Sequence, residues 1–285
     1  MKRAKHTLAV LTLALAGCQG QIAPADPTPM LSTIRLLIEP STVALWQNLA
    51  AAYRPSHTLI AWQIDSLDWD ALGSWLSKGR APFAMVGHFP ADSMLWATPI
   101  GFDGLALIVN IANPIASLSP AQLRAIFTGR LLNWRELAGV DMPILAVSRP
   151  TGSGEDILFR SMILGAQPVT GAARLALSAA QMLQFVGSTP GALGYISMAA
   201  LNVDLAGIDK VRGIRVVPLD NVRPTPQTVG NGSYGLRSSV VFCGSKAPGD
   251  DAYRAFFAWV QSPAGQAIVA QHYAPFQALS GTIAA

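Results

Sequence analysis

Arg149 stands three residues before Gly152-Ser153-Gly154 in the run Ser148-Arg-Pro-Thr-Gly-Ser-Gly154. Those residue types suit an oxyanion. A guanidinium offers a planar fork of donors, and small residues at a helix start leave backbone N–H groups open to negative charge. The same run also makes an ordinary turn, with Ser153 as helix N-cap and Arg149 in a surface ion pair. Glu155 and Asp156 follow directly, and acids are favoured in a first helical turn; this reading turns the Glu155 side chain outward and leaves its backbone N–H facing in. Asp103, between Phe102 and Gly104, reads by itself as an Asx-turn residue. Ser41 and Thr42, in Glu39-Pro-Ser-Thr42, either donate to an anion or cap the helix that follows. His88, after Gly87, either supplies a donor, or an ion-pair partner when protonated, or is a packing residue.

Other chemistries lack their residues. There is no Gly-x-Ser-x-Gly elbow, no His-Glu-x-x-His and no Walker A run. Four histidines are few for acid–base work, and one of them, His6, lies in the leader described next. An enzyme is therefore not expected. The two cysteines, Cys18 and Cys243, fit no Cys/His metal spacing, so neither a metal nor a cofactor is implied. Cys243, in an apolar run, reads as a small core residue.

Residues 1–17 combine Lys2, Arg3 and Lys5 with an apolar run of nine residues, 8–16. That run is too short to span a bilayer, which takes about 20 residues, and it reads as a signal peptide. Leu15-Ala16-Gly17-Cys18 resembles the bacterial lipobox, whose cysteine is acylated, so Cys18 is the expected lipidation site. Residues 18–31 are the expected tether, with three prolines between 19 and 30. Removing the leader leaves 17 basic against 16 acidic residues, so the basic character belongs mostly to the export signal. No Lys/Arg stripe interleaved with aromatics remains, and nucleic acid is not an expected partner. With half the residues apolar and 13% charged, a disordered chain is excluded. A monomer, exported and held by its lipid on the outer face of the cell membrane or in the periplasm, is expected.

The elements that must position Ser41, Asp103 and Arg149 alternate in type. Residues 34–38, 58–64 and 82–86 read as strands, with helices at 43–53 and 69–77 between them. A second unit follows, with strands at 105–109, 144–148, 194–196 and 214–218. Its helices fall at 120–128, opened by Ser119-Pro120, and at 155–164 and 178–185. A strand at 240–243, a helix at 251–261 and a helix opened by Ser262-Pro263 end the chain. The pattern predicts an α/β fold of two units with a cleft at their junction.

Three stretches resemble the phosphate-binding substrate-binding proteins of ABC transporters: Gly101-Phe-Asp-Gly-Leu-Ala-Leu-Ile-Val-Asn110; Leu118-Ser-Pro-Ala-Gln-Leu-Arg-Ala-Ile-Phe-Thr-Gly129 with Asn133-Trp134; and Ser148–Gly154. Gly191-Ala-Leu-Gly-Tyr195, Arg223-Pro-Thr-Pro226 with Gly232-Ser-Tyr234, and Ser262-Pro-Ala-Gly-Gln-Ala-Ile268 complete the pattern. The resemblance implies a two-lobed type II periplasmic-binding-protein fold with a ligand cleft between lobes. Lobe 1 is expected at 32–102 plus 220–285 and lobe 2 at 103–219. Ser41, Thr42, Asp103, Arg149, Ser153, Gly154 and Glu155 are the implied ligand set, with phosphate or a similar oxyanion as ligand and ABC permease subunits as partners. Asp103 would accept the proton that phosphate still carries and sulfate lacks.

The chain departs from that pattern at the site itself. Glu155 stands where the family has Thr, Gly87-His88 where it has Ser-Arg, and Asp65-Ser-Leu-Asp-Trp69 where it has a Ser/Gly-rich turn. Two hydroxyl donors are lost. The expectation is a cleft that binds phosphate weakly or prefers another ligand, which keeps a sensory or accessory lipoprotein on the same fold as the alternative.

Overall fold

A computed structural model of the chain describes residues 31–89, 93–201 and 213–276. The leader, Cys18 and nearly all of the tether lie outside the described residues. In chain order the elements are β1 (Ser32–Ile38), α1 (Val43–Tyr53), β2 (Ile60–Ser66), α2 (Trp69–Ser77), β3 (Phe83–Val86), β4 (Trp96–Asn110), α3 (Pro120–Phe127) and β5 (Leu145–Ser148). There follow α4 (Gly154–Phe159), continued as a π-turn over Arg160–Leu164, then β6 (Arg174–Leu175), α5 (Ala179–Ser188), β7 (Ala192–Ser197) and α6 (Met198–Leu201). The chain closes with β8 (Ile214–Val217), α7 (Pro226–Gly230), β9 (Arg237–Gly244), α8 (Asp251–Gln261), α9 (Pro263–Val269) and β10 (Ala274–Pro275).

The strands run β2-β1-β3-β9-β4-β7-β5-β6, with β8 and β10 also paired to β4. β1, β2 and β3 are mutually parallel, and β9 returns antiparallel to β3. β4 is the strand that joins the lobes. From Trp96 to Gly104 it pairs with β9; from Leu105 onward it pairs with β7 and β8. Asp103 therefore sits where one strand passes from the first lobe to the second. The sequence pattern reached only 105–109 of it, because Thr98, Pro99 and Gly101 interrupt the apolar run.

Alternation along the strands builds a core on each face of each half. Ile34, Leu36 and Ile38 of β1 pack with α1 and α8, whereas Leu37 faces Leu72 and Leu76 of α2. In β4, Leu105, Leu107 and Val109 enter one core of the second lobe, and Ala106 and Ile108 enter the other. Tyr253, Phe256, Phe257 and Val260 recur at helical spacing along α8 and are all buried. Phe257 stacks on Phe242 of β9 at 4.2 Å between ring centres. Truncating such a buried aromatic costs about 3–5 kcal/mol, enough to decide whether the first lobe stands. Cys243 is a free, buried core cysteine, and burial raises its thiol to about 12. Val229, Tyr234 and Leu236 on the return path pack into the second lobe's core, so the crossover is packed rather than a bare linker.

Candidate functional site

The turn after β1 and the segment between β5 and α4 face each other across a cleft of about 310 Å3. Glu39, Pro40 and Ser41 line it from the first lobe; Arg149, Ser153, Gly154 and Glu155 line it from the second; Asp68, Trp69 and Ser178 reach it from the sides. The turn after β3, which carries Gly87 and His88, lies beneath.

Pro40 starts a tight turn over Pro40–Thr42 that feeds directly into α1. Thr42 is buried with its hydroxyl committed to main-chain carbonyls, donating to Glu39 at 2.9 Å and Met85 at 3.3 Å. It does not line the cleft. Ser41 does, and the Tyr273 hydroxyl donates to its carbonyl oxygen at 3.1 Å, which fixes the loop. Glu39 ends β1 with its carboxylate buried, although a charge so placed must find donors. Its Oε2 accepts the Gly87 N–H at 2.7 Å, and its Oε1 lies 3.7 Å from His88 Nδ1.

On the opposite side Gly152, at φ +86°, makes the left-handed turn that precedes the helix, and Ser153 caps α4 by accepting from the Asp156 N–H at 3.4 Å. Asp156 receives the Gly152 N–H at 3.2 Å and pairs with Arg160 at 2.9 Å, which holds the turn from behind. Tyr195 of β7 stacks on Phe159 at 4.2 Å and accepts the Arg149 N–H at 3.2 Å, so the arginine leaves a rigid wall. Arg149 donates from Nη1 to the Ala176 carbonyl at 2.8 Å and has Nε 3.7 Å from Glu155 Oε2. With the Arg149 side chain 12% exposed, this is an interior pair and not a surface one. The Glu155 side chain does not turn outward as its helix position suggested. It lies in the cleft wall, because Arg149 is its nearest cation.

Gly154 lies against Glu39 and His88. A Cβ there would fall 2.0 Å from Glu39 Oε1 and 2.5 Å from His88 Nδ1, so this position admits no side chain while Glu39 holds its place.

Asp103 lies beneath the cleft rather than on its wall. Its Oδ2 accepts from Ser197 at 2.5 Å. Burial pushes its carboxyl up to about 6, against the opposing pull of His88 and the Ser197 hydrogen bond. For His88 burial acts the other way, disfavouring the charged ring. The Glu39 carboxylate outweighs it, helped by Asp103 and Glu155, and the ring is raised to about 9. His88 is therefore a buried cation at neutral pH, one that the sequence left open as a donor, an ion-pair partner or a packing residue.

Among the described residues nine buried side-chain nitrogen or oxygen atoms have no hydrogen-bond partner, and five belong to this cluster: Ser41 Oγ, both ring nitrogens of His88, Asp103 Oδ1 and Arg149 Nε. Native interiors leave few polar groups unpaired, so a concentration at one place marks a site built to meet something else. No group of His, Cys, Asp and Glu among the described residues is arranged to hold a metal ion. Glu39 was missed as a functional residue. An acid directly after the buried run Leu36-Leu37-Ile38 was the signal available.

A two-lobed α/β fold with a polar cleft at the strand crossover defines a periplasmic-binding-protein architecture. The chain belongs to the PBP superfamily, whose domain model matches residues 82–264. It is 33% identical over 132 residues to the phosphate-binding protein PstS of Bacillus subtilis, covering 46% of this chain and 41% of that protein. PstS of Borreliella burgdorferi is 20% identical over 179 residues, 60% of this chain and 62% of that one. The matches thus span less than two thirds of either relative. Among solved structures, a putative phosphate ABC transporter substrate-binding protein with bound phosphate from Clostridium perfringens superposes with a TM-score of 0.74 at 25% identity, over 86% of this chain and 100% of that one. An ABC-type phosphate transport receptor from Vibrio cholerae gives 0.73 at 24% identity, covering 84% and 98%, and supports the fold.

Proposed function

We propose that this protein is the solute-capture component of an ABC importer, closing two lobes on phosphate or a related oxyanion without catalysing a reaction. One observation carries the reading. The Arg149 guanidinium from one lobe and the Ser41 hydroxyl from the other, each with a buried atom that lacks a hydrogen-bond partner, line the same cleft. Ser153, Gly154 and the Glu155 backbone are the further contacts proposed on the second lobe, with Asp103 as the acceptor beneath. The lobes divide near 102/103 and 219/220. Cys18 carries the lipid that holds the protein on the outer face of the membrane, as a monomer that passes its solute to permease subunits. No helix among the described residues is long and apolar enough to cross a membrane.

Calorimetric titration with phosphate and sulfate, carried into the millimolar range, tests the capture role. Binding of an oxyanion that disappears in Arg149→Ala is expected, since charge and fork are removed together. An Arg149→Ala protein that binds as the parent does would remove Arg149 from the site. The buried carboxylates of Glu39 and Glu155 favour a second reading, a relative whose ligand has changed or that senses rather than transports. Its mark is a folded protein with no affinity for either anion.

A further inference from the structure

The groups that surround the Glu39 carboxylate are the groups a bound oxyanion would need. A backbone N–H points at it from Gly87 at 2.7 Å, a buried imidazole stands 3.7 Å away, and the Gly154 backbone of the opposite lobe presses against it. The residue is 3% exposed although it belongs to a loop that lines the cleft. Its position directly after β1 leaves it one residue from Pro40 and two from Ser41, and the Gly87 N–H and the His88 ring hold its carboxylate there.

We infer that Glu39 is a resident anion: its carboxylate fills the oxyanion place between the lobes, competes with the solute for that place, and so sets what the cleft accepts. The inference rests on the capture role proposed above and specifies its selectivity. Charge points the same way. Glu39, Asp103 and Glu155 all act on His88, and Arg149 pairs with Glu155, so a dianion added beside Glu39 meets a cluster already rich in acids. Displacing the carboxylate removes that repulsion and frees the Gly87 N–H and the His88 ring together.

A purely structural Glu39 would behave differently. Removing it would weaken the fold and leave anion affinity where it was. A resident anion, once removed, leaves donors that an added oxyanion can satisfy, so the variant gains affinity and regains stability when phosphate is present.

Phosphate titrations of the parent, Glu39→Ala, Glu39→Gln and the double variant Glu39→Ala/Arg149→Ala separate these cases, with circular dichroism reporting that each is folded. Glu39→Ala is expected to bind phosphate at least tenfold more tightly than the parent. Glu39→Gln should fall between them, because charge is lost and bulk remains, and the double variant should lose the gain. A parent that binds phosphate as tightly as Glu39→Ala overturns the resident anion and leaves the capture role standing. Folded proteins that bind no phosphate in any form overturn both. Should Glu39→Ala not fold, Glu39→Gln decides, and parental affinity in that variant overturns the inference.

Discussion

His88 links the site to the stability of the fold, and a pH series in urea exposes the link. An unperturbed histidine titrates near 6.5, and the folded ring is raised to about 9. Between those values the folded protein holds a proton that the unfolded chain releases. The stabilisation from His88 is thus fully present below 6.5 and is lost as pH rises through 9. Each pKa unit corresponds to about 1.4 kcal/mol, so the loss over this window is on the order of 3 kcal/mol, undiminished by solvent because the ring is buried. Asp103 has the same sign at lower pH. Its carboxyl rises from 3.8 to about 6, so the folded state again holds the extra proton, and stability falls as pH climbs through that range. Glu39, Asp103, Glu155 and Tyr273 are the titratable groups of this buried cluster, contributed by separate elements. Urea midpoints read by circular dichroism, with constant slope, should fall steadily between about pH 6.5 and 9 in the parent. In His88→Gln the fall over that window should flatten. Stability that is level or rising there in the parent, or an unchanged slope in His88→Gln, would refute the assignment of a buried imidazolium paired with Glu39.

Gly154→Ala tests the approach of the lobes. At a helix start this change is ordinarily neutral or helpful to the helix, but here the new Cβ meets Glu39 at 2.0 Å. A loss of about 1–3 kcal/mol in urea unfolding is expected from overpacking, and parental stability would mean that the Glu39 carboxylate moves aside freely. Asp103→Asn keeps shape and removes the acceptor beneath the cleft, so the phosphate-to-sulfate affinity ratio should fall while the fold is retained. An unchanged ratio in paired titrations takes Asp103 out of ligand discrimination.

Much of this architecture was legible because strands and helices here carry unmixed signals. α1, α2 and α8 begin and end at the residues that periodicity marked, and Ser119 caps α3 as Ser-Pro suggested, with the reciprocal Gln122 bond closing the box. β4 was less legible, since its first half pairs on one lobe through Pro99 and Gly101, residue types depleted in strands, and polar Thr98 breaks the apolar run. The site was half legible. Arg149, Ser153 and Gly154 fit either an anion site or a capped turn by type and spacing, and only the resemblance singled them out. The inward turn of Glu155 and the burial of His88 were not legible, because each depends on a partner brought in by another element: Arg149 across the turn after β5, and Glu39 from the end of β1.

The same dependence explains why Gly154, Glu39 and His88 form one unit rather than three substitutions. A residue larger than Gly at 154 excludes Glu39; a residue without charge at 39 leaves His88 a buried cation with less to hold it; a neutral residue at 88 removes the ion-pair partner of Glu39 and leaves the Gly87 N–H. Removing one member of a buried ion pair costs far more than replacing both. A double change at positions 39 and 88 should therefore be less damaging than the sum of the single changes, and the coupling measures the strength of this pair within the first lobe.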